Sequence, residues 1–141
     1  MGILFVAENI KRPKHHYKNI SVWLNQIILK YGHSTGDLTV IFCKDEYLRG
    51  INEKFLAHDY YTDIITFDYS VNKILSGDLF ISVDRVLENS FLFKHSFSDE
   101  LLRVIVHGLL HLIGFKDSME EEKSIMRELE NECLIMYQEN V

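Results

Sequence analysis

One stretch, Asp99 to Ile113 (DELLRVIVHGLLHLI), constrains how everything else must be arranged. Past its two opening acids it carries a single charge, Arg103, and it is apolar nearly all round. As a helix it is stable only with the rest of the chain wrapped around it, so it is expected to be a buried central helix. Ser96 or Ser98 can cap its start, and Gly114 supplies the residue that ends it. The uncharged run between Arg103 and Lys116 is only 12 residues long, too short to span a bilayer. A length of 141 residues, 47% of them hydrophobic, is one domain's worth of core, and residues 1–141 are read as one domain.

The surrounding elements follow from periodicity. Ile3 to Val6 reads as a short strand, and Tyr17 to Tyr31 as a helix with Ile20, Trp23, Leu24, Ile27 and Ile28 on one face. Gly32 and Gly36 punctuate before a buried strand at Leu38 to Cys43, and a helix with Leu48, Ile51, Phe55 and Leu56 at helical spacing runs from Asp45 to Leu56. A loop at His58 to Asp63 leads to two neighbouring strands, Ile64 to Tyr69 and Gly77 to Val83, joined by Ser70 to Lys73. Ser118 with Glu121 has the pattern of a capping box opening a final helix, whose apolar face is Ile125, Met126, Leu129, Cys133 and Met136. Strands interleaved with helices make this an α/β (α+β) chain.

Charge and cysteine content narrow the function classes. The net charge of −6 lies in the last 43 residues, where a glutamate-rich helix (Glu120, Glu121, Glu122, Glu128, Glu130, Glu132) dominates; residues 1–98 are balanced. Lys11, Arg12, Lys14, His15, His16 and Lys18 form a basic cluster that reads either as a solvated turn or as a phosphate contact. Cys43 and Cys133 have no metal or redox spacing and read as reduced core residues of a cytoplasmic protein. No leader pattern opens the sequence, and no membrane association is expected.

Two histidines interrupt the apolar helix. His107 and His111 are four residues apart, about 6 Å along a helix axis, so both imidazoles leave the same face and can converge on one ion. Asp117, ten residues after His107, can return to the same point once Gly114 turns the chain. A His, His, Asp set with a fourth position open to water is the pattern of a catalytic zinc site, although other divalent metals accept the same ligands. The expectation is one Zn²⁺ per chain, held by His107, His111 and Asp117, with the histidines acting in catalysis through the water on that ion. Buried histidines bonded to backbone, and Asp117 as a helix cap, are the plain structural alternatives.

The spacing occurs in metzincin-type zinc peptidases, H-E-x-x-H-x-x-G-x-x-[HD], but Gly108 stands where their catalytic glutamate is required. The run His107-Gly108-Leu109-Leu110-His111-Leu112-Ile113-Gly114-Phe115-Lys116-Asp117 instead resembles the YbeY family of bacterial ribosomal-RNA maturation endoribonucleases, with its H-G-x-L-H-L-x-G-Y-D-H signature. The likeness extends over about residues 45 to 135. It takes in Asn52 and Phe55, Asp59, Thr62-Asp63-Ile64-Ile65-Thr66-Phe67 against P-T-D-V-L-S-F, and Gly77-Asp78-Leu79-Phe80-Ile81-Ser82 against G-D-I-x-I-S.

That resemblance implies a small mixed β-sheet packed with helices and a metal at the mouth of a cleft. It also implies metal-activated cleavage of single-stranded RNA in ribosomal-RNA maturation, at the small-subunit 3′ end, and in ribosome quality control. The ribosome or its proteins are the implied partners. Four positions depart from the family. Asp117 replaces the usual third histidine and Lys116 the usual aspartate, Tyr61 replaces a proline, and Leu56 falls where the family has an arginine thought to meet the RNA phosphate. That last role is vacant or passes to His58, Lys54 or another cation, and His58 is accordingly a candidate catalytic residue. A zinc peptidase with an unusual base, and a non-catalytic metal-stabilised ribosome-assembly factor, are the competing readings.

Overall fold

The computed structural model describes residues 2–58 and 60–140. Its elements run β1 (Gly2–Ala7), α1 (Tyr17–Lys30), β2 (Ser34–Cys43), α2 (Asp45–Leu56), β3 (Ile64–Asp68), β4 (Ile74–Ser82), α3 (Val83–Leu92), α4 (Phe97–Ile113) and α5 (Glu120–Asn140). The four strands form one sheet in the order β1-β2-β4-β3. β1 and β2 are parallel, Ile3 beside Leu38, and β2 and β4 are parallel, Val40 beside Leu79. β3 returns antiparallel to β4, Ile64 beside Ile81, and forms one edge. The sheet is mixed and the chain α+β, as the sequence implied.

Alternation along each strand divides the apolar residues between two faces. Leu38, Val40 and Phe42 of β2, Leu75, Leu79 and Ile81 of β4 and Ile64 of β3 join α1, α4 and α5 in the main core. Cys43, Ile65, Phe67 and Phe80 form a second, smaller cluster with Leu48 and Ile51 of α2. α4 is the buried centre: Leu101, Ile105, Val106, Leu109 and Leu110 are completely enclosed. α1 presents the five residues expected of it, and the Trp23 indole donates to the Cys133 carbonyl of α5 at 2.6 Å. Both cysteines are free and buried. Among the described residues no helix is long and apolar enough to cross a membrane.

Several expectations are corrected. β2 begins at Ser34, so Gly36 is buried inside the strand at an irregularity in its pairing with β4 instead of breaking the chain before it. β4 begins at Ile74 and stops at Ser82, whose hydroxyl accepts from the Arg85 amide and starts α3. α3 has no counterpart in the sequence reading. Only Val86 and Ser90 of it are buried, while Leu87, Phe91 and Leu92 are exposed, so its apolar pattern does not show a single face. The opening of α5 uses Glu122, not Glu121: its carboxylate accepts from the Met119 amide at 2.9 Å and the Ser118 hydroxyl at 3.2 Å. The buried line of α5 is Met126, Glu130, Cys133 and Tyr137, with Leu129 and Met136 at its flanks and Ile125 in solvent.

Candidate metal centre

The site is assembled by the end of α4 and the turn that follows it. Gly114 closes the helix at φ 123°, a conformation that side-chain-bearing residues rarely adopt, and its amide and that of Phe115 both bond to the Leu110 carbonyl. The chain therefore reverses, and the Phe115 ring packs edge-on against Tyr31. Asp117 comes back over the last turns of α4. Its two oxygens lie 3.2 Å from His107 Nε2 and 3.4 Å from His111 Nε2, and the two Nε2 atoms are 3.1 Å apart. Among the described residues this is the one group of three or more His, Cys, Asp or Glu side chains placed to share an ion.

These separations match the requirement of a small ion. Tetrahedral bonds of 2.0–2.1 Å place donor atoms about 3.3 Å from one another. The hydrogen bonding points the same way. Glu130 Oε2 lies 2.6 Å from His107 Nδ1, and a carboxylate there accepts only if Nδ1 carries the hydrogen, which leaves a lone pair on Nε2. That lone pair faces an Asp117 oxygen, so two acceptors oppose each other and need a cation between them. Burial works against a charged His107, yet the Glu130, Asp117 and Asp63 carboxylates outweigh it and hold the imidazole above its ordinary pKa.

Glu130 belongs to the glutamate-rich last helix, yet it faces the core. It is 6% exposed, and its other oxygen takes Arg103 Nη1 at 2.9 Å while Arg103 Nη2 reaches Asn131 Oδ1 at 2.9 Å. Burial alone would raise the Glu130 carboxyl, but the bonds from His107 and Arg103 hold it below its usual range. A histidine oriented through its second nitrogen by a carboxylate is the usual support of a metal-ligating imidazole.

The site opens into a cleft of about 280 Å³ lined by Thr62, Asp63, Ile64, Thr66, His107, His111 and Asp117. The edge strand β3 thus forms the wall facing the histidines. Burial pushes the Asp63 carboxyl above its ordinary value, with His107 pulling it down in part. The motif likeness of Thr62 to Phe67 takes in Asp63 but carries no chemistry for it. On the far side of His107, a second hollow of about 170 Å³ is lined by Asp63, Glu100, Arg103, Arg127 and Glu130 among others.

Gly108 turns the other way, into the sheet. A Cβ there would lie 2.5 Å from Ile64 Cδ1 and 3.1 Å from Leu79 Cδ2, so a glutamate at this position would enter the core instead of the cleft. His58 does not line the cleft. Its Nδ1 meets the Tyr60 hydroxyl at 3.0 Å and the two rings stack. Leu56 ends α2 in solvent, and Asp59 lies outside the described residues. In the basic cluster, Arg12 donates to the Phe5 carbonyl and covers the Tyr17 ring, and His15 meets Ser98. Lys11, Lys14 and Lys18 stay exposed.

Comparison with known proteins agrees with this geometry. Residues 6–138 match the family model described as Endoribonuclease YbeY. The Endoribonuclease YbeY of Parabacteroides distasonis is 45% identical over 139 residues, covering 99% of this chain and 98% of its own. That of Bacteroides thetaiotaomicron is 43% identical over 136 residues, 96% of this chain and 99% of its own. The solution structure of TM1509 from Thermotoga maritima superposes with a TM-score of 0.66 at 26% identity, covering 98% of this chain and 93% of that one.

Proposed function

This chain belongs to the YbeY endoribonuclease family, and from that premise we propose that it is a metal-dependent endoribonuclease that cuts single-stranded RNA during ribosomal-RNA maturation. The observation that carries the reading is the opposed pair of acceptors at His107 Nε2 and Asp117, which asks for a cation at the floor of an open cleft. His107, His111 and Asp117 are the proposed ligands of one ion per chain. Zinc is the proposed metal, because two neutral imidazoles and one carboxylate suit it best among common divalent ions. When bound, the ion supplies Lewis-acid polarisation of the scissile phosphate and lowers the pKa of water at its open position.

The chain's own groups do the rest. Glu130 fixes the His107 tautomer and its ring orientation. Asp63, across the cleft and raised by burial, is suited to accept a proton at its carboxylate from the attacking oxygen and to return it to the leaving oxygen. The Thr66 hydroxyl lines the same wall and can donate to a phosphate oxygen. A net charge of −6 predicts weak, salt-sensitive binding of naked RNA. We therefore propose that the ribosome or its proteins supply the missing affinity, that the substrate is the small-subunit 3′ end, that quality control of ribosomes draws on the same activity, and that the bacterial cytoplasm is the compartment. The inward direction of Gly108 leaves the peptidase reading without a base.

The test is cleavage of a labelled single-stranded RNA by the purified protein, beside a chelator-treated sample and His111→Ala. Cleavage lost in both, with the unfolding midpoint of His111→Ala close to wild type, is the expected result. Cleavage that survives in His111→Ala, or a metal-loaded wild type that cuts neither RNA nor ribosomal particles, overturns it in favour of an assembly factor. A 2′,3′-cyclic phosphate on the product would assign the attack to the RNA's own 2′-oxygen.

A further inference from the structure

The segment joining α2 to β3 carries three rings, and the fold uses them differently. Tyr61 is taken up by packing: the guanidinium carbons of Arg49 and Arg85 lie 5.2 and 5.5 Å from its ring centre, and its hydroxyl donates to Glu46. The His58 amide and the Tyr60 carbonyl are both held by Asn52, which is 2% exposed. Its carbonyl accepts from the His58 amide at 3.1 Å and its side-chain amide donates to the Tyr60 carbonyl at 3.1 Å. Ala57 makes the turn in the left-handed region at φ 55°. The ring of Tyr60 serves none of this. It is 54% exposed and lies parallel to the His58 imidazole, 5.2 Å between centres and 20° between planes.

A flat ring presented to solvent on a pinned backbone is a surface for another flat ring. Two residues further on, Thr62 and Asp63 line the cleft. The chain advances at most 3.3–3.6 Å per residue, so the Tyr60 backbone lies within about 7 Å of Thr62, within reach of a base next to a phosphate held in the cleft. The surroundings suit that occupant. Lys54 covers the Phe55 ring at 5.3 Å on the last turn of α2, a cation beside an aromatic ring, while Arg49 and Arg85, which flank Tyr61, are paired with the carboxylates of Glu46 and of Asp45 and Glu88. Rings interleaved with cations are what an unpaired nucleic acid strand requires.

Building on the ribonuclease reading, we propose that Tyr60, backed by His58, is the stacking platform for an unpaired nucleobase flanking the scissile phosphate. Every base has a π-face, so the platform is indifferent to sequence. It rejects duplex RNA, whose bases are already stacked on one another. His58 then acts through its ring plane and not as an acid or base. A selection for single strands is thereby placed in the approach to the cleft and not among the groups that hold the ion.

The experiment compares wild type, Tyr60→Ala and Tyr60→Phe, each as the full chain, on fluorescein-labelled oligoadenylate, its duplex with oligouridylate, and an abasic ribose-phosphate chain of equal length. Steady-state cleavage and equilibrium anisotropy are both read. Tyr60→Ala is expected to raise KM and weaken oligoadenylate binding by about 5- to 100-fold, with kcat changed far less, while Tyr60→Phe stays near wild type. The preference of wild type for oligoadenylate over the abasic chain should vanish in Tyr60→Ala. Unchanged KM and binding in Tyr60→Ala, as expected if a protein partner covers this ring instead, would overturn the proposal. So would an equal loss in Tyr60→Phe. Failure of the ribonuclease reading would look different: no variant would cleave, while the anisotropy difference between wild type and Tyr60→Ala would still report on stacking.

Discussion

Glu130→Gln is expected to weaken ion binding by about 10- to 100-fold and to destabilise the fold by about 3 kcal/mol, although residue 130 is not itself among the proposed ligands. The amide has one oxygen to offer where the carboxylate has two. Either His107 Nδ1 loses the acceptor that fixes its tautomer, or the Arg103 guanidinium, whose side chain is 18% exposed, loses the partner of its charge. A chelator-competition titration measures the first effect and urea unfolding the second. Glu128→Gln, two residues away on the exposed face of α5, should leave both unchanged. Ion affinity in Glu130→Gln equal to wild type would mean that His107 is oriented by helix packing alone.

Glu100→Gln is expected to stabilise the protein above neutral pH. Glu100 is 3% exposed, and its Oε1 has no hydrogen-bond partner among the described residues. Burial, reinforced by the Asp63 and Glu130 carboxylates and only partly relieved by Arg103 and Arg127, pushes its carboxyl from 4.5 up to about 7. A raised acid binds its proton more tightly folded than unfolded. Its protonated form therefore stabilises the native state at low pH, and that stability is lost as pH rises from about 4.5 to about 7. At pH 8 the ionised carboxylate costs about 3 kcal/mol, which the neutral amide would not incur. Urea unfolding of both proteins from pH 5 to pH 8.5 should give curves that diverge as pH rises, with the variant more stable. Parallel curves would show that Glu100 carries no raised pKa.

Both residues belong to the part of the site that the sequence did not reveal. His107, His111, Gly114 and Asp117 were legible because their geometry is local: a helix period places two imidazoles on one face, and a glycine after the last turn brings the next acid back. Glu130 and Glu100 are decided by docking. Whether a glutamate on an acid-rich helix is solvated depends on which face meets α4, and the apolar pattern, right at Met126 and Cys133, pointed one residue away elsewhere, to Leu129 and Met136 instead of Glu130 and Tyr137. The same limit hid α3, whose apolar residues Leu87, Phe91 and Leu92 are mostly in solvent and so mark no buried face. The short polar connection between two β-rich runs marked β3 and β4 as neighbours, but not that Asp63 would stand across the cleft from the histidines. The arginine absent at Leu56 drew attention to His58, and the fold gives that ring to Tyr60.

The measurement that bears most directly on the centre of this account is the titration of Zn²⁺ into chelator-treated wild type and Asp117→Ala, with the unfolding midpoint of each recorded. The account predicts one ion per chain in wild type and at least about tenfold weaker binding in Asp117→Ala, with the fold preserved in the variant. Equal affinity in the two proteins, or an ion that binds with His107 and His111 both replaced, would contradict it.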